Sequence, residues 1–345
     1  MLYLRKPRLD TLEDLRACLQ KAIELEHATI PPYLTALYSI KEGALPEIAA
    51  LLRGIVTQEM LHLSLAANVL NAIGGHPVLN APGFLPTYPG PLPMGIGSEP
   101  GQPFIVHLRR LSLELIEDTF MVIEEPETPL VFPVGALAAA LPEYRTIGQF
   151  YESLKDKLDE LGPRIFTGRK DRQVTGWFAR DELFAVKDVA SAKRALDLIV
   201  AQGEGSRTSP LGPDGQLAHY YRFAEIRHGR RLVPDASVPE GYSYSGEPIP
   251  FDAAGVLPMG DDPGAQAYPV DSEAWRLAER FDATYSSLLN ALHLTFNGEP
   301  GQLNPAIGLM FSLRVQVAQL MTTPVPGTGF TAGPRFRYSR VPSSA

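Results

Sequence analysis

The chain has 345 residues, 45% of them hydrophobic, with a formal net charge of −8 and a pI near 5.5, so it carries enough apolar material to bury a large core in one or two domains. The acidic balance, without a long run of Lys or Arg, leaves no electrostatic footprint for a nucleic-acid backbone. A single cysteine, Cys18, excludes an internal disulfide or a thiolate metal cluster, and the absence of a signal-like opening or an apolar run of membrane-spanning length leads us to expect a cytoplasmic protein.

The first helix is predicted to start at Asp10 or Thr11, where Thr11 and Asp14 pair as a capping box and Leu12, Leu15, Leu19 and Ile23 recur at helical spacing. It should reach about Gly43, with a kink or local break at Pro31 and Pro32, because proline lacks a backbone donor and crowds the preceding turn. Pro46 opens a second helix that stops at Gly74 and Gly75, and the two should form an antiparallel hairpin. Residues 75–187 read as a long crossover, dense in proline and glycine over 77–103. It holds shorter helices after Ser112 (LELIEDTFMVIEE) and after Thr146, where Gln149 completes a capping box. Amphipathic helices resume at 188–204 and 215–229. Two more follow at 272–297 and 305–322, the last with Asn304 as its cap and Pro305 as its first residue. The pattern is all-α: a bundle over residues 1–232 with a long inserted crossover, and a C-terminal loop and helical extension over 233–345 packed on it.

Several polar residues fall on the stripes that should face the core. Glu26 lies three residues after Ile23 and four before Ile30, and Glu59 and His62 share a stripe with Leu52, Ile55, Ala66 and Val69. In the second half, Glu204 follows Leu196 and Val200 at intervals of four, and Glu225 and His228 line one face with Leu217 and Tyr221. A Glu from each of two helices plus Glu-x-x-His from each of the other two is the ligand set of di-iron and di-manganese carboxylate bundles. Four buried carboxylates without cations would repel one another or have to protonate, and two divalent ions balance them. The expected metal ligands are therefore Glu26, Glu59, His62, Glu204, Glu225 and His228, holding two iron ions, with manganese as the alternative. One Glu-x-x-His pair alone more often decorates a solvated face, and Glu204, between two glycines, reads equally as a fraying helix end.

Around this set, Tyr33 and Tyr221 read either as core residues or as hydrogen-bonding neighbours of the site. His219 reads as a structural or substrate-facing group, and His27 and Glu24 as outer-face residues. Asp197 is a candidate acceptor for a ligand histidine's second N–H. Tyr88, Tyr242, Tyr244 and Phe251, in the segments 77–103 and 232–270, are candidates for a pocket mouth.

The segments AIELEHATIPPYLTALYSIKEG (22–43), TQEMLHLSLAANVLNAIGGHP (57–77), TIGQFYESL (146–154), IVAQGEG (199–205) and HYYRFAEI (219–226), with the later NGEPGQLNPAIGLMFSL and AGPRF, are similar to a known family. They resemble the ferritin-like domain of the bacterial iminophenyl-pyruvate dimer synthases, the group that joins two tryptophan-derived imines in violacein and rebeccamycin biosynthesis. The resemblance implies a ferritin-like four-helix bundle and makes the glycine-flanked Glu204 a family feature. It also implies a di-iron carboxylate oxidoreductase of secondary metabolism, acting with dioxygen on a small organic molecule such as an amino-acid-derived imine. Members that make bis-indole precursors are much longer chains, so the substrate does not transfer. Two other readings stay open: iron handling as a ferroxidase or store, against which the long crossover and C-terminal helices stand, and a non-catalytic helical module. Homo-oligomerisation is left open, and neither nucleic acid nor membrane is expected as a partner.

Overall fold

The computed structural model describes residues 9–95, 102–126, 147–205, 209–264 and 268–339. Thr146 of the expected capping box lies outside the described residues. Helix α1 (Leu12–Tyr38) begins as predicted: the Thr11 hydroxyl accepts from the Asp14 N–H while the Asp14 carboxylate accepts from the Thr11 N–H. It stops at Tyr38, short of Gly43, and is helical through both prolines instead of breaking there. Pro31 and Pro32 cannot donate, which frees the carbonyls of His27 and Ala28. Tyr88 makes good one of these losses by donating its hydroxyl to the Ala28 carbonyl at 2.5 Å.

Helix α2 (Pro46–Ala72) returns antiparallel to α1, since Arg16 near the start of α1 donates twice to the Ile73 carbonyl just past the end of α2, at 3.0 and 2.7 Å. In the crossover, Ser112 caps a helix, α3, that is α-helical over Leu113–Leu115, opens into a π turn over Ile116–Phe120 and closes as α-helix over Met121–Ile123. The crossover also supplies α4 (Ile147–Leu161), which packs on α5 (Val189–Gly203) and on α1. α5 opens with a capping box between Asp188 and Ser191 and packs on α2, so α1, α2, α4 and α5 make the bundle.

Helix α6 (His219–His228) is shorter than the predicted 215–229, because the residues before it form a turn closed by a bridge between Leu211 and Leu217. It packs on the π turn of α3 and on α2. Two short antiparallel pairs pin the loops: β1 (Gly90–Pro91) with β2 (Ile105–Val106), and β3 (Val233–Pro234) with β4 (Tyr242–Ser243). Helices α7 (Glu273–Phe296) and α8 (Leu303–Thr322) form a second hairpin against α1 and α2, with Asn304 and Pro305 inside the first turn of α8 and Gln302 at its cap. One apolar core runs from Leu15 to Phe336. Among the described residues no helix is long and apolar enough to cross a membrane.

Between the C-terminal hairpin and α1–α2 lies an apolar pocket of about 120 Å³. His27, expected on an outer face, is buried on its wall with Nε2 2.8 Å from the Tyr285 hydroxyl, and burial pulls it down to about 3.

The segment AGPRF straps this end together. Arg335 donates from Nε and Nη2 to Asp282 Oδ2 on α7, at 2.9 and 2.6 Å, and both residues are buried. Burial pushes the Asp282 carboxyl up to about 6 even beside the guanidinium. Arg335→Ala leaves that carboxylate buried without its partner and is expected to cost about 3–5 kcal/mol, read as a lower urea midpoint at neutral pH.

Candidate metal centre

Five helices deliver buried acidic and imidazole groups to one place. α1 brings Glu26, α2 brings Glu59 and His62, the residue after α3 is Glu124, the residue after α5 is Glu204, and the first residue of α6 is His219. Each carboxylate has one oxygen held by a donor of the protein. Tyr151 donates its hydroxyl to Glu26 Oε1, and Tyr33 donates to Glu124 Oε1 at 2.6 Å. Thr29 Oγ1 donates to Glu59 Oε2 at 3.0 Å, and the Gly148 N–H donates to Glu204 Oε1 at 2.5 Å.

The second oxygen of three of them turns toward an imidazole. Glu26 Oε2 lies 3.4 Å from His62 Nδ1, while Glu59 Oε1 and Glu124 Oε2 lie 2.9 and 3.7 Å from His219 Nδ1. His219 Nδ1 makes no hydrogen bond in spite of this proximity. The far nitrogens set the tautomer: His62 Nε2 is 3.0 Å from Gln202 Oε1 and His219 Nε2 is 3.1 Å from Gln58 Oε1. An amide oxygen only accepts, so each Nε2 carries a proton, and in the neutral ring each Nδ1 is a lone pair among carboxylate oxygens. The rings stack with centroids 5.4 Å apart, and donor atoms of Glu59, His62 and His219 all lie within 4.8 Å of one another.

Lone pairs that face one another repel unless a proton or cation sits between them. Without a cation, protons must serve. Burial first, then the neighbouring Glu124 and Glu26, push Glu59 well above the usual carboxylate range. The orphaned His219 Nδ1 and the oxygen-and-imidazole donor set fit a metal ion of the iron or manganese type.

Of the residues picked out from the sequence, Glu26, Glu59, His62 and Glu204 line one small cavity, together with Glu124. Two glycines make room for the acids. A Cβ on Gly148 would come within 2.5 Å of Glu204 Oε2, and one on Gly203 within 3.4 Å of Glu124 Oε2. The structure places the other two expected ligands elsewhere. Glu225 is buried, but its oxygens accept from the Leu232 N–H at 2.9 Å and from Arg231 at 2.8 Å. His228 is exposed and lies against Tyr244 with centroids 4.2 Å apart and the rings tilted by 32°. Glu124 and His219 stand where these two were expected.

Other expectations also shift. Asp197 pairs with Lys155 at the surface, whereas Glu24 pairs with exposed Lys21, in keeping with the outer face expected for it. Tyr33 does serve the site, through Glu124. Tyr221 is buried in a separate small cluster with Leu232, flanked by Tyr242 and Tyr244. None of Tyr88, Tyr242, Tyr244 or Phe251 lines the carboxylate cavity. A signal for Glu124 was present in the four-residue spacing Ile116, Phe120, Glu124, the same signal that singled out Glu204 after Leu196 and Val200.

Residues 19–228, from within α1 to the last residue of α6, match the family model described as Ferritin-like. The chain belongs to the ferritin-like family. All six acidic and imidazole groups lie inside the matched stretch. Dichlorochromopyrrolate synthase of Lentzea aerocolonigenes is 24% identical over 97% of this chain, which spans 37% of that longer protein. A crystal structure of a ferritin-like protein from Caulobacter vibrioides aligns with a TM-score of 0.64 at 25% identity, covering 96% of this chain and 100% of the other. The ferritin-like fold read from the sequence is thus met.

The raised Glu59 has a consequence for this ferritin-like chain when it holds no metal. The folded protein keeps a proton that the unfolded chain releases, so the stabilisation is present at low pH and is lost as pH rises through the raised value. The melting temperature of the metal-free protein, followed by circular dichroism, is expected to fall as pH rises above the usual carboxylate range. Loading with iron(II) or manganese(II) is expected to flatten that fall.

Proposed function

We propose that this chain is a metal-dependent oxidoreductase of the di-iron carboxylate type, acting with dioxygen on a small organic substrate in a cytoplasmic setting. Glu26, Glu59, His62, Glu124, Glu204 and His219 are the proposed ligands, with manganese as the alternative to iron. The observation that carries this reading is His219 Nδ1, buried without a hydrogen bond 2.9 Å from Glu59, with His62 Nδ1 3.4 Å from Glu26 beside it. Four carboxylates balance two divalent ions, and two neutral imidazoles add ligands without adding charge.

When bound, the metal pair supplies Lewis acidity and the electrons for oxygen chemistry. The chain supplies the rest. Thr29, Tyr33, Tyr151 and the Gly148 N–H each hold one carboxylate oxygen, and in Glu26, Glu59 and Glu124 the other oxygen turns toward an imidazole. Burial and the adjacent carboxylates keep the Tyr33 and Tyr151 hydroxyls protonated, well above the usual phenol range, so both remain donors. Leu25, Ile147, Ile199 and Val200 line the same cavity and exclude water from it.

The substrate class rests on the sequence resemblance and on the Lentzea relative, which together favour an amino-acid-derived imine, or a related amine or keto acid. Protein expressed with iron is expected to carry about two equivalents of metal per chain by elemental analysis. His219→Ala and Glu124→Ala are expected to lose metal while His228→Ala retains it. A chain that takes up neither iron nor manganese under anaerobic conditions would overturn the assignment.

Stopped-flow oxygen consumption tests the reaction class. The reduced protein is expected to consume dioxygen faster with members of such an imine, amine and keto-acid panel than with iron(II) alone. Rapid oxidation of excess iron(II) into a mineral, with no response to any organic compound, would make it an iron store.

A further inference from the structure

Gln58 on α2 and Gln202 near the end of α5 set the proton positions of the two imidazoles, yet a primary amide can offer a ring either its oxygen or its NH2. If the NH2 faced the ring, Nε2 would have to accept, the proton would move to Nδ1, and the nitrogen among the carboxylates would be blocked. Asp214 removes this ambiguity. Its Oδ2 lies 3.0 Å from Gln58 Nε2 and 3.1 Å from Gln202 Nε2. A carboxylate oxygen only accepts, so both amides turn their NH2 groups to Asp214 and therefore their oxygens to the histidines. The orientation follows from the hydrogen-bonding capacity of the side chains themselves.

We infer that Asp214 is a positioning residue for the metal site: one carboxylate oxygen orients two glutamine amides and, through them, locks His62 and His219 together in the tautomer with a bare Nδ1. The inference rests on the metal reading above. Local structure holds Asp214 to this task. Leu211 and Leu217 bridge antiparallel, Gly215 takes the left-handed φ of +74° that the tight turn needs, and the Gln216 N–H donates to Asp214 Oδ1 at 2.9 Å. One oxygen is fixed by its own turn and the other serves the glutamines. The same turn leads straight into α6, whose first residue is His219.

The test uses the full chain labelled with ¹⁵N-histidine, because imidazole nitrogen shifts distinguish the two tautomers without any metal present. In the parent protein both rings should be protonated at Nε2. Asp214→Ala releases the amides and is expected to give His62 and His219 a population protonated at Nδ1, with iron(II) and manganese(II) affinity weakened about 10- to 100-fold. Asp214→Asn guards against loss of the turn. Its oxygen can still accept from Gln216 while its NH2 opposes the glutamines, so the Nδ1-protonated population should be larger than in Asp214→Ala.

Gln58→Glu and Gln202→Glu, placed in the Asp214→Ala background, offer oxygen to the ring in either orientation. They should restore the parent tautomer and most of the affinity, a rescue that a merely structural turn would not give. Retention of Nε2 protonation on both rings in both Asp214 variants, or failure of the glutamates to restore it, would overturn the inference. Tautomers that shift as described in a chain whose parent form binds no metal would leave the positioning role standing and remove the metal reading.

Discussion

The interior of this bundle holds more lone pairs than protons. Four carboxylates and two imidazole nitrogens converge where there is little water, and an ion left unpaired in such a place costs several kcal/mol. The surroundings respond to that excess on every side. Three hydroxyls and a backbone N–H each neutralise one oxygen of a carboxylate, two glutamine oxygens keep protons on the far nitrogens, and two glycines keep side chains out of the way. What remains is a cluster of inward-facing carboxylate oxygens and imidazole nitrogens, the donor set of the proposed metal site.

Part of this was legible in the sequence and part was not, for identifiable reasons. α1 and α2 carry apolar stripes with clear helical spacing, so Glu26, Glu59 and His62 stood out as acids and a base on faces that should be buried. α6 gives no such contrast. His219, Tyr221, Arg222, Phe223, Ala224, Glu225 and Ile226 are all buried, so periodicity cannot choose a face and the Glu-x-x-His spacing alone favoured Glu225 and His228. The decision is made by residues beyond the helix, Arg231 and Leu232, which take both oxygens of Glu225. Glu124, just past a π turn in the crossover, has four-residue spacing from Ile116 and Phe120 but no Glu-x-x-His pair beside it to single it out. The prolines of α1 illustrate the same limit. Local chemistry correctly predicted lost donors, but Tyr88, sixty positions away, supplies one of the replacements.

The C-terminal hairpin has a different part in the molecule. It contributes none of the six groups and instead covers the outer faces of α1 and α2, sharing their apolar core and closing it with the Arg335–Asp282 pair. A rigid outer wall matters here because the cluster's distances are set by the spacing of helices, and carboxylates that repel one another would otherwise push those helices apart.

The six groups are also unevenly spread in time. Glu26, Glu59 and His62 leave the ribosome on the first hairpin, and His219 follows His62 by 157 residues (219 − 62), about 8 to 30 s at ordinary synthesis rates. Through that interval the nascent hairpin offers a passing ion two carboxylates and one imidazole, an open chelate that still competes with water. On the proposed ligand set, firm capture waits for α6 to dock. The choice of metal would then fall to the finished chain, under whatever ion supply it meets after release, and not to the order in which ions encounter it during synthesis.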